Sequence, residues 1–247
     1  MKKKNIIPKA HEGWIQTLNQ QGFMTTTRDP ISEEFTKFAA KGSRSALEIG
    51  AAYGISTIAA LKNGAKMIAN DIDIRHLELL EEQVPEKFKK NLTLKEGQFP
   101  VDDLGIQENS LDAVLICRVM HFFNGPEVEE SAKKIASWLV SGGKAFVVCD
   151  SPYVKTMRRF IPEFEQNMKD GKNWPGYCEN IHDICDPLDL KDKLPNKMHF
   201  FTPEILTKAF EKAGLKTEKA TYIARPDFPK ILQYDGRESV GLIAVKP

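Results

Sequence analysis

From about residue 44 the chain alternates short apolar runs with stretches whose apolar positions recur every three or four residues. Ser45-Ala46-Leu47-Glu48-Ile49 reads as a strand ending at Gly50, and Ile55 to Leu61 has helical spacing, stopped by Asn63-Gly64. Lys66 to Asn70 predicts a second strand ending at Asp71. Arg75 to Gln83 predicts a helix carrying Leu77, Leu79 and Leu80, which Pro85 breaks. Leu92-Thr93-Leu94 is a third strand, and Leu111 to Ile116 is apolar almost throughout, as burial on both faces of a sheet requires. Val128 to Val140 places Ala132, Ile135, Ala136 and Leu139 on one helical face, and Gly142-Gly143 then turns the chain into the strand Ala145 to Cys149. This is the β-α-β rhythm of an α/β protein, a doubly wound parallel sheet with helices on both faces. Ligands of such sheets bind beyond the strand carboxyl ends, here near Gly50, Asp71, Gln98 and Cys117.

Residues 151–201 interrupt the rhythm. They predict a helix from Val154 to Met168, followed by a Gly-, Pro- and Asn-rich stretch with Trp174 and Tyr177. Thr202 can cap a helix with Pro203 at its first position, and two strands close the chain near Lys216 to Ala224 and Ser239 to Val245. The division expected is an N-terminal helical cap or lid (1–43), a ligand-binding half (44–150), a cap insertion (151–201) and a helix with a strand pair (202–247) that completes one domain.

Composition narrows the partners. Thirty-five Lys and Arg against thirty-four Asp and Glu leave a formal charge of +1, without the basic excess of a sequence-independent nucleic-acid binder. Four cysteines are too few for a disulfide framework at this length, which fits a reducing, cytoplasmic setting. Lys2 to Lys4 read as a solvated terminus with no signal-peptide core behind them, and no apolar run approaches membrane-spanning length.

The most informative segment is Leu47 to Gly54. A strand ends in Glu48, and the small residues Gly50, Ala51 and Ala52 turn it into a helix. Small residues let backbone approach a ligand, and the helix start offers free N–H groups. The Gly-x-x-x-Gly spacing departs from the Gly-x-Gly-x-x-Gly of pyrophosphate sites, and a fixed carboxylate suits an ammonium better than a phosphate. Asp71 at the next strand tip can accept from two ribose hydroxyls, Ile72 can cover an adenine face, and Gln98 can meet the adenine edge. Together these groups suit adenosine with a zwitterionic tail, which is S-adenosylmethionine.

At residues 44–150, again from Phe201 to Leu215, and at Gly241 to Val245, the sequence resembles the class I S-adenosylmethionine-dependent methyltransferase family. The resemblance implies a Rossmann-like seven-stranded sheet whose last strand runs antiparallel to the others. It also implies that Glu48, Gly50, Ala51, Ala52, Tyr53 and Gly54 form the first cofactor motif and that Asp71 holds the ribose. Ile72, Gln98 and Phe99 would hold adenine, and Cys117 and Arg118 would contact the methionine portion. Two positions depart from the family pattern: Ala52 replaces a glycine, and Gln98 an aspartate.

The implied reaction is in-line methyl transfer to a small-molecule acceptor, with a protein acceptor as the alternative. His121 is the candidate general base. Trp174, Tyr177, His182, His199, Phe200 and Phe201 are candidates for a substrate cap, or else anchor the insertion. Cys178, His182 and Cys185 lack the paired Cys-x-x-Cys elements of a structural zinc site, so no metal is expected. Two rival readings keep the sheet: a non-catalytic S-adenosylmethionine- or S-adenosylhomocysteine-binding regulatory protein, and a nicotinamide-dependent oxidoreductase.

Overall fold

The computed structural model describes residues 5–186 and 195–247, so Lys2 to Lys4 lie outside the described residues. The chain opens with β1 (Trp14–Gln16) and β2 (Phe23–Thr25), followed by α1 (Pro30–Ala39), β3 (Ser45–Ile49), α2 (Ile55–Lys62), β4 (Lys66–Asp71) and α3 (Ile74–Gln83). After the short α4 (Glu86–Lys89) come β5 (Leu92–Glu96), β6 (Leu111–Cys117), α5 (Gly125–Trp138) and β7 (Leu139–Asp150). The insertion holds α6 (Ile161–Lys169), β8 (Tyr177–Cys178), α7 (Ile181–Ile184) and β9 (Met198–His199). The chain ends with α8 (Pro203–Lys212), β10 (Lys216–Ile223) and β11 (Ser239–Val245).

Seven strands form one sheet in the order β10-β11-β7-β6-β3-β4-β5. β11 lies antiparallel between β7 and β10, while the β3, β4, β5, β6 and β7 pairings are parallel. The expected antiparallel last strand is therefore present. Order reverses between β3 and β6, which opens the crevice at their carboxyl ends.

Period-two alternation builds the layers. In β6, Ala113 and Leu115 enter one core with Ile31 and Phe35 of α1, Leu61 of α2 and Leu77 and Leu80 of α3. Val114 and Ile116 enter the other with Ile135 of α5, Phe164 of α6 and Phe210 of α8. Side-chain caps set several helix starts. Asp29 caps α1, Asp73 caps α3 and Thr202 caps α8, and Asn124 with Glu127 forms a capping box on α5.

Three expectations change. The segment expected as a helical cap or lid is not helical throughout: among its described residues β1 and β2 pair as an antiparallel hairpin, and a helix forms only from Pro30. No 3.6-residue period precedes Asp29, whereas Gly13 and Gln20, both at positive φ, turn the backbone on either side of β1. The helix expected from Val154 to Met168 is confined to Ile161–Lys169, because Pro162 is tolerated only in a first turn. Gly142-Gly143 lies within β7, where Gly142 N–H donates to Lys246 O at 2.8 Å, and does not form a turn before it. Among the described residues no helix is long and apolar enough to cross a membrane.

Candidate functional site

β3 delivers its chain into a turn with three residues in the left-handed region: Gly50 at φ 68°, Ala52 at 44° and Gly54 at 80°. Gly50 and Gly54 also have no room for a side chain, since an added Cβ would collide with Val119 and with Leu80 respectively. The turn is tied to the neighbouring strand. Ala51 N–H donates to Asn70 O at 2.8 Å, and Ala52 N–H donates to Asp71 Oδ2 at 2.8 Å. Ala52 carries a Cβ in a conformation that glycine adopts without penalty. We expect Ala52→Gly to be neutral or to raise the thermal midpoint by up to about 3 °C in scanning calorimetry, since the left-handed cost of roughly 1–2 kcal/mol outweighs glycine's entropy.

Glu48 is buried beneath this turn. Its Oε2 accepts from Thr57 N–H at 2.7 Å and from Thr57 Oγ1–H at 2.5 Å, so it caps the start of α2. Burial outweighs those hydrogen bonds and pushes the Glu48 carboxyl up to about 7. Asp71 is likewise engaged: besides Ala52, its Oδ1 accepts from Asp73 N–H at 3.0 Å and faces His76 Nδ1 at 2.9 Å. Both carboxylates line one cavity of about 450 Å³ that runs over the carboxyl ends of β3, β4 and β6.

The remaining predicted residues fall unevenly about this cavity. Gly50, Ala51, Ala52, Ile72, Gln98, Phe99, Cys117, Arg118 and His121 line it. Ile72 is half exposed at its rim with Val101. Gln98 is held by a two-way exchange with Asp102: Gln98 N–H donates to Asp102 Oδ2 at 2.7 Å, and Asp102 N–H to Gln98 O at 2.8 Å. Phe99 is largely committed to the core, 5.7 Å from Trp138 between ring centroids. Tyr53 is not among the lining residues; its hydroxyl donates to Gln16 O at 3.0 Å. Burial and the nearby Asp29 carboxylate push the Cys117 thiol far up, which leaves it unreactive.

At the other end of the cavity Arg118, itself at φ 58°, packs its guanidinium against Trp14 and Phe228 at 5.1 and 5.0 Å. Its Nε lies 3.3 Å from Asp150 Oδ1 at ion-pair distance, and both Nε and Nη1 are buried without a hydrogen-bond partner. His121 Nδ1 lies 3.2 Å from Asp150 Oδ2. Burial works to raise the pKa of Asp150, but the Arg118 and His121 side chains outweigh it and hold the carboxyl well below the usual carboxylate range.

Most of the expected cap residues sit elsewhere. Trp174, Tyr177, His182 and His199 do not line the cavity. His199 is fully buried, stacks on Phe201 at 4.3 Å with Trp174 and Tyr177 on its edges, and faces Phe123 O through Nδ1 at 3.0 Å. Burial pushes it down to about 4, so it stays neutral. These aromatics anchor the insertion. His182 faces Asn196 Oδ1 at 3.2 Å, and among the described residues no His, Cys, Asp and Glu group could hold a metal ion.

Of the cap candidates Phe200 does line the cavity, and Trp14, Met157, Met198, Phe228 and Leu232 close it alongside. Phe228 and Leu232 belong to the β10–β11 connection. There the buried Arg225 bonds Asp227 through Nε at 2.9 Å and Nη2 at 2.7 Å. The segment has neither period, so only an apolar residue beside an Arg-x-Asp turn hinted at it in the sequence.

A family model described as a methyltransferase domain matches residues 46–143. Phosphoethanolamine N-methyltransferase 1 of Triticum aestivum is 30% identical over 104 residues, which are 42% of this chain and 21% of that protein, so the match spans about a fifth of that relative's length. The structure of an S-adenosylmethionine dependent methyltransferase from Mesorhizobium loti aligns with a TM-score of 0.61 at 15% identity, covering 88% of this chain and 96% of that one. The glycopeptide N-methyltransferase MtfA complexed with S-adenosyl-L-methionine aligns at 0.58 and 15% identity, over 89% and 95% of the two chains. At such identity the solved structures speak for the fold. Residues 46–143 thus match a methyltransferase domain, and the sheet order is that of the Rossmann-like fold these S-adenosylmethionine-dependent methyltransferase structures share.

Proposed function

We propose that the chain is an S-adenosylmethionine-dependent methyltransferase acting on a small-molecule acceptor. The observation that carries this reading is the crevice itself, with carboxylates at two neighbouring strand tips, Glu48 and Asp71, beside a turn that lines it only with the small residues Gly50, Ala51 and Ala52. An Asp71 carboxylate at the cavity suits ribose hydroxyls, and one at Glu48 suits an ammonium. The buried, unpartnered Nη1 of Arg118 suits the matching carboxylate of a zwitterionic tail. Ile72 and Val101 offer apolar cover for adenine, with the Gln98 amide at its edge. The residues therefore fit the cofactor that the family implies.

When bound, S-adenosylmethionine supplies a methyl group already activated on a sulfonium, so the chain's task is alignment and exclusion of water. The apolar walls from Met157, Met198, Phe200, Phe228 and Leu232 exclude water and favour a small, largely apolar acceptor. His121 lines the cavity with Nδ1 3.2 Å from the Asp150 carboxylate, and its other ring nitrogen takes the proton that an acceptor O–H or N–H must lose. Asp150 orients that ring, and Arg118 orients Asp150.

Calorimetry with S-adenosylmethionine, then incubation of labelled cofactor with metabolite pools, tests the reading. Label in a small molecule supports it, and label only in protein would move the acceptor class. Cofactor binding without turnover over broad pools would favour a regulatory binding protein. Binding of NADH in place of S-adenosylmethionine would favour the oxidoreductase. His121→Ala is expected to lower kcat/KM by roughly 10²–10⁴-fold with a proton-bearing acceptor, and to leave cofactor affinity within about twofold. An unchanged kcat/KM would remove His121 from the chemistry.

A further inference from the structure

We propose that His76, on α3, is a positioning residue that ties the N-terminal hairpin, as roof of the cavity, to the carboxylate of Asp71; this rests on the assignment of Asp71 to the cofactor. Leu18 N–H, in the loop between β1 and β2, donates to His76 Nε2 at 2.9 Å. A nitrogen that accepts carries no proton, so the neutral ring keeps its hydrogen on Nδ1 and donates it to Asp71 Oδ1, 2.9 Å away. The ring is 1% exposed, and Tyr53 packs edge-on against it at 5.2 Å. Asp73 Oδ2 lies 3.9 Å from Nε2.

One imidazole thus joins two segments 58 residues apart in sequence. The hairpin it holds contributes Trp14, Phe23, Met24 and Thr25 to the cavity wall. Tyr53, next to the Ala52 turn, grips the same hairpin through Gln16 O. Asp71 already uses Oδ2 on Ala52 N–H. His76 and Asp73 N–H both lie on Oδ1 and set the rotation of the carboxylate. A ligand on Asp71 therefore meets a carboxylate oriented by the group that closes the roof, and the two events are linked.

The two ends of the ring can be separated chemically. Asparagine places a donor near Nδ1 but cannot reach Leu18. Glutamine places an acceptor near Nε2 but gives up the Nδ1 donor. Hydrogen exchange at the Leu18 amide reads the roof, and calorimetry with S-adenosylmethionine reads the site. In ligand-free protein, Leu18 is expected to exchange at least tenfold faster in His76→Asn than in wild type, and near the wild-type rate in His76→Gln. His76→Gln is expected to weaken cofactor binding about tenfold with the larger change in KM for cofactor, not in kcat, while His76→Asn weakens it less. Cofactor should slow Leu18 exchange in wild type and not in His76→Asn. Nitrogen NMR should show the Nδ1-protonated tautomer. Equal Leu18 exchange in ligand-free wild type and His76→Asn would overturn the tie, whether or not cofactor binds. A wild-type protein that binds no S-adenosylmethionine, with the exchange difference intact, would overturn the assignment of Asp71 and with it the linkage.

Discussion

Asp71→Ala is expected to weaken S-adenosylmethionine binding by roughly 100-fold, about 3 kcal/mol, the worth of one or two hydrogen bonds to a charged group. The same change leaves Ala52 N–H, Asp73 N–H and the His76 ring without their acceptor inside the protein. Each buried group left unmatched costs about 1–3 kcal/mol, so the thermal midpoint should also fall by several degrees. Asp71→Asn separates the two effects. Its amide oxygen can still accept from one side of the network, so the midpoint should recover more than the affinity does. Calorimetry and thermal unfolding on the three proteins provide the check. Unchanged affinity in Asp71→Ala would place the ribose elsewhere.

The second large effect is a pH dependence set by Glu48. Its carboxyl is pushed up to about 7 in the ligand-free protein, from 4.5 for a solvated glutamate, because burial outweighs the Thr57 hydrogen bonds. The folded state therefore holds a proton that the unfolded chain releases near 4.5. The stabilisation that this proton confers is fully present below about pH 4.5 and is lost as pH rises through about 7, a change of roughly 3 kcal/mol. Cofactor binding has the opposite sign. An ammonium beside Glu48 favours the carboxylate, so affinity should rise about tenfold per pH unit below the pKa and level off above it. Glu48→Gln is expected to remove both dependences, to bind cofactor weakly at every pH, and to exceed wild type in stability above pH 7. Urea unfolding and calorimetry between pH 5 and pH 8 measure the two slopes. A flat affinity profile in wild type would remove Glu48 from ammonium recognition.

Both predictions concern residues that sequence reading reached, yet the structure changes what those residues do. Glu48 and Asp71 stood out because each ends an apolar run before a turn. Their placement as neighbours follows from the parallel pairing of β3 and β4. Their hydrogen bonds were not legible in that pattern. Glu48 caps α2 through Thr57 as well as facing the cavity, and Asp71 accepts from three partners within the chain. For Trp174, Tyr177 and His199 the sequence leaves two roles open, a substrate cap or an anchor for the insertion. They pack on one another within the insertion, while Phe200 joins Met157, Met198 and Phe228 in the cavity wall. Hydrophobicity tells that a side chain seeks burial, and it does not tell against which surface.

The order of strands and helices from Ser45 to Asp150, the antiparallel closing strand and the Gly50–Gly54 turn were carried by the chain's own periodicity, its punctuation and the family resemblance these expose. That is because period, caps and positive-φ sites are local: each is decided within a few residues. The roof of the cavity, the Arg118–Asp150–His121 cluster and the His76 tie depend on contacts between residues 29 (His121, Asp150) to 110 (Arg118, Phe228) positions apart. Only the assembled tertiary structure decided them, since a contact between distant segments is fixed by how whole layers pack and leaves no period in the sequence.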